Sequence, residues 1–278
     1  MSEQNNCGLQ PMPSAGRLRW LRERRRARRA VQGLRAALLA GFFLLWELAA
    51  RRGWIDPFIF SSPGRIWQTL YSLTGSGDLW LHTGTSVLET VAGFTLGTLA
   101  GILIATLLWW SPFLARVLDP YLVVLNSLPK TALGPIFIVW MGAGAGSIIA
   151  MTLAISIVVT ILDMHHGFGA TDPEKIRLMR TLGADRMQIF LKLVLPANFT
   201  TMVNALKVNV GLSWVGVIMG EFLVSRAGLG YLIVYGSQVF QMDLVMTTVL
   251  ILAAAAALMY QCILWLEKAL KKYMGVTI

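Results

Sequence analysis

The chain has 278 residues, of which 56% are hydrophobic and only 14% charged. A soluble domain carries roughly 25% charged residues, so this composition excludes an ordinary soluble domain and points to an integral membrane protein. The net charge of +10 is uneven: nine of the 24 Lys and Arg residues, Arg17, Arg19, Arg22, Arg24, Arg25, Arg26, Arg28, Arg29 and Arg35, precede residue 36.

A basic run of this kind suits nucleic acid, the front of a secretory signal, or a cytoplasmic tail against anionic lipid. It leads straight into an apolar segment, which favours the third. Residues 1–32 are therefore expected to form a flexible basic tail and 33–278 a membrane domain. A membrane span needs about 20 apolar residues. Six segments qualify: 33–50, 84–110, 117–140 with Pro129 and Pro135 breaking it, 146–166, 198–224 and 244–267. The fold class expected is all-α, a polytopic membrane protein with about six transmembrane helices.

Orientation follows from cation placement. With the Arg-rich tail inside, six spans leave both termini inside, together with the segment after span four. That segment holds Lys175, Arg177, Arg180, Arg186 and Lys192, and the C-terminus adds Lys268, Lys271 and Lys272. Arg51 and Arg52, which fall outside, are the weak point of this topology.

Other features are read along the chain. Gly93, Gly97 and Gly101 form a small-xxx-small series on span two, a surface for close helix approach. The run GAGAG at 142–146 lacks the GK[ST] ending of a nucleotide loop and reads as an external turn. The segment 229–240, LGYLIVYGSQVF, is too short to span and reads as interfacial or re-entrant. Cys7 and Cys262 are not expected to pair, and His82, His165 and His166 show no metal-ligand spacing.

The segment 171–196, TDPEKIRLMRTLGADRMQIFLKLVLP, carries the most information. Asp172 followed by Pro173 is a helix start, and Glu174 suits the positive end of the helix dipole. Gly183 suits a left-handed helix end. A second helix is expected over 184–195, with Met187, Phe190, Leu191 and Val194 forming one apolar stripe, ended by Pro196. Pattern alone leaves three readings open: a hairpin on lipid, a solvated loop, or a docking element for a partner groove.

This stretch resembles the cytoplasmic EAA loop of ABC importer permeases, through Gly183, Leu195 and Pro196 and the surrounding RTLGA…QIF…LP. Arg177, Leu178 and Met179 stand where that family has Glu-Ala-Ala, a clear departure. LLWELAARRGWIDPFIFSSPGRIWQTL, SLPKTALGPIFIVWMGAG and VGVIMGEFLVSRAGLGYLI are similar to segments of the nitrate/sulfonate/taurine branch, so the likeness covers roughly residues 40–270.

The resemblance implies a permease subunit of a binding-protein-dependent importer for a small anion such as nitrate, a sulfonate or taurine. It implies a homodimer, a cytoplasmic ATPase subunit, an extracytoplasmic binding protein, and no cofactor in the chain itself, ATP being bound by the partner. Gly183, Met187, Phe190, Leu191, Val194, Leu195 and Pro196 are the expected ATPase-coupling residues. Asn126, Ser127, Asn209, Ser213, Trp214 and Glu221 are the pathway candidates, because polar groups inside a membrane are costly. The chain is not expected to be an enzyme: it has no GxxxxGK[ST]. A proton-coupled secondary carrier using Glu47, Glu89, Asp163 and Glu221 is the alternative, and a membrane-embedded lipid transferase a weaker one.

Overall fold

The computed structural model describes residues 15–273, and all regular structure among them is helical. The first fourteen residues, Cys7 among them, lie outside the described residues. The chain divides into two compact units, residues up to Gly64 and residues from Arg65 onward.

The first unit is dominated by α1 (Ala15–Arg51), 37 residues long. Its helix begins well inside the stretch expected to be a flexible tail, so residues 15–32 are helical and continuous with the first apolar segment, Arg29–Arg51. Good helix formers explain this: the stretch is rich in Arg, Leu and Ala and holds no proline between Ala15 and Arg51. Arg51 donates to Glu47 at 2.7 Å, and the other Glu47 oxygen accepts the Gly64 amide at 3.0 Å. One of the two awkward positive charges at this span end is thereby neutralised. A short α2 (Pro57–Phe60) follows, capped by Asp56.

The second unit contains most of α3 (Pro63–Ser76), then α4 (Asp78–Trp110), α5 (Pro112–Ser127), α6 (Gly134–Met141) and α7 (Ala145–Gly169). After α7 come α8 (Pro173–Thr181), α9 (Arg186–Ile189), α10 (Leu195–Ala197), α11 (Phe199–Val224), α12 (Leu229–Gln238) and α13 (Met242–Tyr273). Five described helices are long and apolar enough to cross a membrane, and α5 with α6 forms a sixth candidate bent by 88°. The break falls at Pro129, before a 3-10 turn over Lys130–Leu133. Pro135 does not break anything: it sits in the first turn of α6, where its missing N–H costs no hydrogen bond.

The bent pair must cross. The end of α4 meets the 171–196 segment through Trp109, whereas Gly134, at the start of α6, packs on Leu223 and Met151 near the opposite ends of α11 and α7. The chain therefore passes from one end of the bundle to the other between α4 and α7, so the bent pair counts as one candidate span, and with α1 the described residues hold six candidates.

Close approach of α4, α7 and α11 forms the centre. The glycine series of α4 meets an equally spaced series on α7: Gly93 faces Thr152, Gly97 faces Ser156 and Gly101 faces Thr160. A Cβ on Gly93 would lie 2.5 Å from the Thr152 methyl, and one on Gly101 2.6 Å from Thr160 Cβ. The hydroxyls of Thr152 and Thr160 donate back to the carbonyls of Ile148 and Ser156, each at 2.9 Å, so these side chains carry no unmet polarity into the seam. Gly216 of α11 abuts the same Thr152, with 2.6 Å from a notional Cβ to Cα.

Candidate functional site: the bent helical segment between α7 and α11

The segment 171–196 is built largely from local caps. Asp172 accepts the Glu174 amide at 2.9 Å and starts α8. Gly183 adopts φ +82, a left-handed conformation that a side chain disfavours. Its amide donates to the Arg180 carbonyl, and the Ala184 amide to the Met179 carbonyl, both at 3.0 Å. These two bonds are the Schellman pattern, so α8 ends as its glycine indicates. Asp185 then opens α9 with a reciprocal capping box to Gln188. The helix starts at Arg186 rather than at Ala184 because Asp185 takes the cap.

The expected single helix to 195 is modified. Residues Phe190–Val194 form a π segment, and the Leu195 amide reaches back five residues to the Phe190 carbonyl. Pro196 supplies the reason. Its ring cannot donate and crowds the preceding turn, and a wider turn relieves that crowding. Pro196 therefore does not end the helix. The turn at Asn198 does, with the Asn198 amide group donating to Thr171 Oγ1 and to the Val194 carbonyl, each at 2.8 Å.

The expected apolar stripe divides in two. Phe190 and Val194 are 5% and 0% exposed, packed with Ile189 against Ala105, Met164, Phe168 and Ala205. They seat the segment on the bundle and do not face outward; Leu195 is half-buried beside them. Met187 and Leu191, one turn apart, are 52% and 51% exposed, and Leu182 is 74% exposed. Lys175, Arg177, Arg180 and Lys192 are exposed around them.

An aromatic cluster joins this segment to two spans. The Phe190 ring lies 5.0 Å from Trp109, 6.2 Å from Trp110 and 5.5 Å from Phe168. Arg186 covers both tryptophans, at 5.6 and 5.7 Å, and donates to the Trp109 carbonyl at 3.3 Å. These contacts place α9 directly against the ends of α4 and α7.

The pathway candidates separate as well. Asn126 and Ser127 are exposed beside the break between α5 and α6, where Lys130 binds back to Asn126. The other four are buried on α11. Asn209 donates to Thr98 at 3.2 Å and to Thr160 at 2.5 Å, joining three helices. Ser213 is enclosed, and Trp214 lines an apolar groove of about 590 Å³ between α11 and α13. Glu221 accepts from Ser86 Oγ and from the Gly230 amide, both at 2.5 Å. Ser86 also accepts the Leu229 amide, and His82 the Gly228 amide. Three free amides at the start of α12 are thus satisfied by three side chains from two other helices. Sequence reading missed this cap because its partners lie up to 146 residues away.

A match to the family described as "Binding-protein-dependent transport system inner membrane component" covers residues 97–275. The chain belongs to that family. It is 32% identical over 234 residues to a probable ABC transporter permease protein of Haemophilus influenzae, covering 84% of this chain and 95% of the relative. It is 23% identical over 242 residues to the taurine transport system permease protein TauC of Escherichia coli, covering 85% and 88%. Among solved structures, an inward-facing form of the MetNI methionine ABC transporter shares the fold, with a TM-score of 0.58 and 19% identity over 70% of this chain and 94% of that one. The permease is a membrane-embedded transport subunit of an ATP-driven importer. ATP hydrolysis belongs to a partner subunit, and solute arrives on a binding protein. Membership sets aside the proton-coupled and lipid-transferase alternatives.

Proposed function

We propose that the permease works as a homodimer that admits a small anion-bearing solute of the nitrate, sulfonate or taurine type, driven through the 171–196 segment. The observation that carries this reading is the exposed apolar set Leu182, Met187 and Leu191, mounted on Phe190, Val194 and the tryptophan pair. Such a surface fits a groove on an ATPase, with cations around it for acidic partner residues. Gly183 fixes the angle between α8 and α9, and Leu195 and Pro196 fix the joint with α11. Asn126 and Ser127 line the route beside the broken span. No cofactor binds the chain itself; ATP stays on the partner.

The segment faces the cytoplasm and both termini lie on that side. Cation placement supports this, and so does the end of α13: Glu267 pairs with Lys207, in the half of α11 nearest the segment, at 2.8 Å. The cargo class is supported by relatives named for aliphatic sulfonates and taurine.

The test is the double variant Leu182→Glu with Met187→Glu, expressed with the ATPase and binding protein. The expected result is loss of ATPase co-purification and of ATP-driven taurine uptake, with normal permease abundance. Retained co-purification and uptake would end the docking proposal.

A further inference from the structure

Between α7 and α11, near the 171–196 segment, lies a cleft of about 450 Å³. Four polar side chains line it: Asp163 and His166, one turn apart on α7, and Thr201 and Asn204, one turn apart on α11. None of the four makes a hydrogen bond or an ion pair among the described residues; Asp163 and His166 interact only at a distance. Some span side chains, such as Thr152 and Thr160, bond back to their own helix, and others, such as Ser213 and Trp214, are singly buried without a partner; this cleft differs in gathering four such groups around one opening. A concentration of unengaged polar groups in a membrane-spanning region marks a ligand or cargo site. Gly167 closes one end, where Thr201 approaches so closely that a Cβ would lie 2.8 Å from its methyl.

The chemistry of the lining restricts the ligand. No Lys or Arg lines the cleft, and Lys207, on the following turns of α11, is held by Glu267. A bare anion would meet the Asp163 carboxylate with no fixed cation to offset it. An ammonium group suits Asp163, while the His166 imidazole and the Asn204 amide supply donors for an acidic group a few bonds away. We propose that this cleft is a cargo station for small zwitterions, with the ammonium on Asp163 and the acidic end on His166 and Asn204. The assignment rests on the reading of the permease as a small-solute importer and narrows its cargo: an aminosulfonate or amino acid fits, and a simple alkanesulfonate or nitrate does not.

The experiment uses the permease purified with its ATPase and reconstituted in lipid nanodiscs, with binding measured by calorimetry. Probes are taurine, β-alanine, ethanesulfonate and ethylamine. The wild type is expected to bind taurine or β-alanine more tightly than either singly charged probe. Asp163→Asn is expected to weaken zwitterion binding by about tenfold or more and to strengthen ethanesulfonate binding, since the repelling carboxylate is gone. Asn204→Leu is expected to weaken it less, and ATPase co-purification with both variants verifies intact assembly. Equal zwitterion binding by wild type and Asp163→Asn would overturn the assignment, as would no zwitterion binding by the wild type or equal affinity for ethanesulfonate. The importer reading fails on a separate result, absence of ATP-driven uptake of any solute by wild-type vesicles supplied with binding protein.

Discussion

The two ends of the second unit are held by different forces. At the end bearing residues 171–196, turns are closed by neighbours in sequence and the whole is seated by rings and aliphatic groups. At the other end, α12 is fixed through its own free amides, which bind His82, Ser86 and Glu221. The first arrangement tolerates sliding, since dispersion contacts are many and individually weak. The second is nearly all-or-none, because each buried donor that loses its acceptor carries a desolvation cost.

The largest effect should come from breaking the fixed end. Gly228 has φ +119 and its notional Cβ falls against the Glu221 carboxylate. Gly228→Val is expected to destabilise the permease by about 3 kcal/mol or more through strain and overpacking, read as a lowered melting temperature in detergent. Phe190→Ala should cost about 3–5 kcal/mol at the opposite end, whereas Leu191→Ala should leave stability unchanged and weaken ATPase co-purification. That pair separates seating from docking on adjacent residues. Ser86→Ala strands Glu221 Oε1 and the Leu229 amide, and should cost about 1–3 kcal/mol; hydrogen exchange should then rise in α12 before it rises in α8 or α9. Gly183→Val imposes about 1–2 kcal/mol of backbone strain. Its expected signature is loss of coupling, measured as uptake per ATP hydrolysed, with little change in overall thermal stability.

The same contrast explains what the sequence discloses. The spans, the Asp172 start and the Gly183 stop depend on residues within a turn or two of each other, and each stands where local chemistry put it. The glycine series on α4 was visible, but its partner series Thr152, Ser156 and Thr160 was not, because hydroxyl side chains in a span also read as pathway groups. Asn209 and Glu221, named as pathway candidates from their polarity, also tie helices together, and that second role was not legible in the sequence. The apolar stripe of 187–194 was legible as apolar and not as two faces. A helical period assigns Phe190 and Leu191 to one side, and only the bundle, with Trp109 and Phe168 in place, separates them.

The widened turn over Phe190–Val194 has a consequence for which atoms reach the outside. A regular α-helix advances about 100° per residue, and the widened turn takes up one extra residue between Arg186 and the start of α11. Were Pro196 replaced and the turn tightened to regular pitch, everything upstream would rotate by about one residue's worth of azimuth. Met187 would swing toward the bundle and a neighbour would emerge in its stead. A single imino acid thereby sets the compass bearing of the outward apolar face of α9.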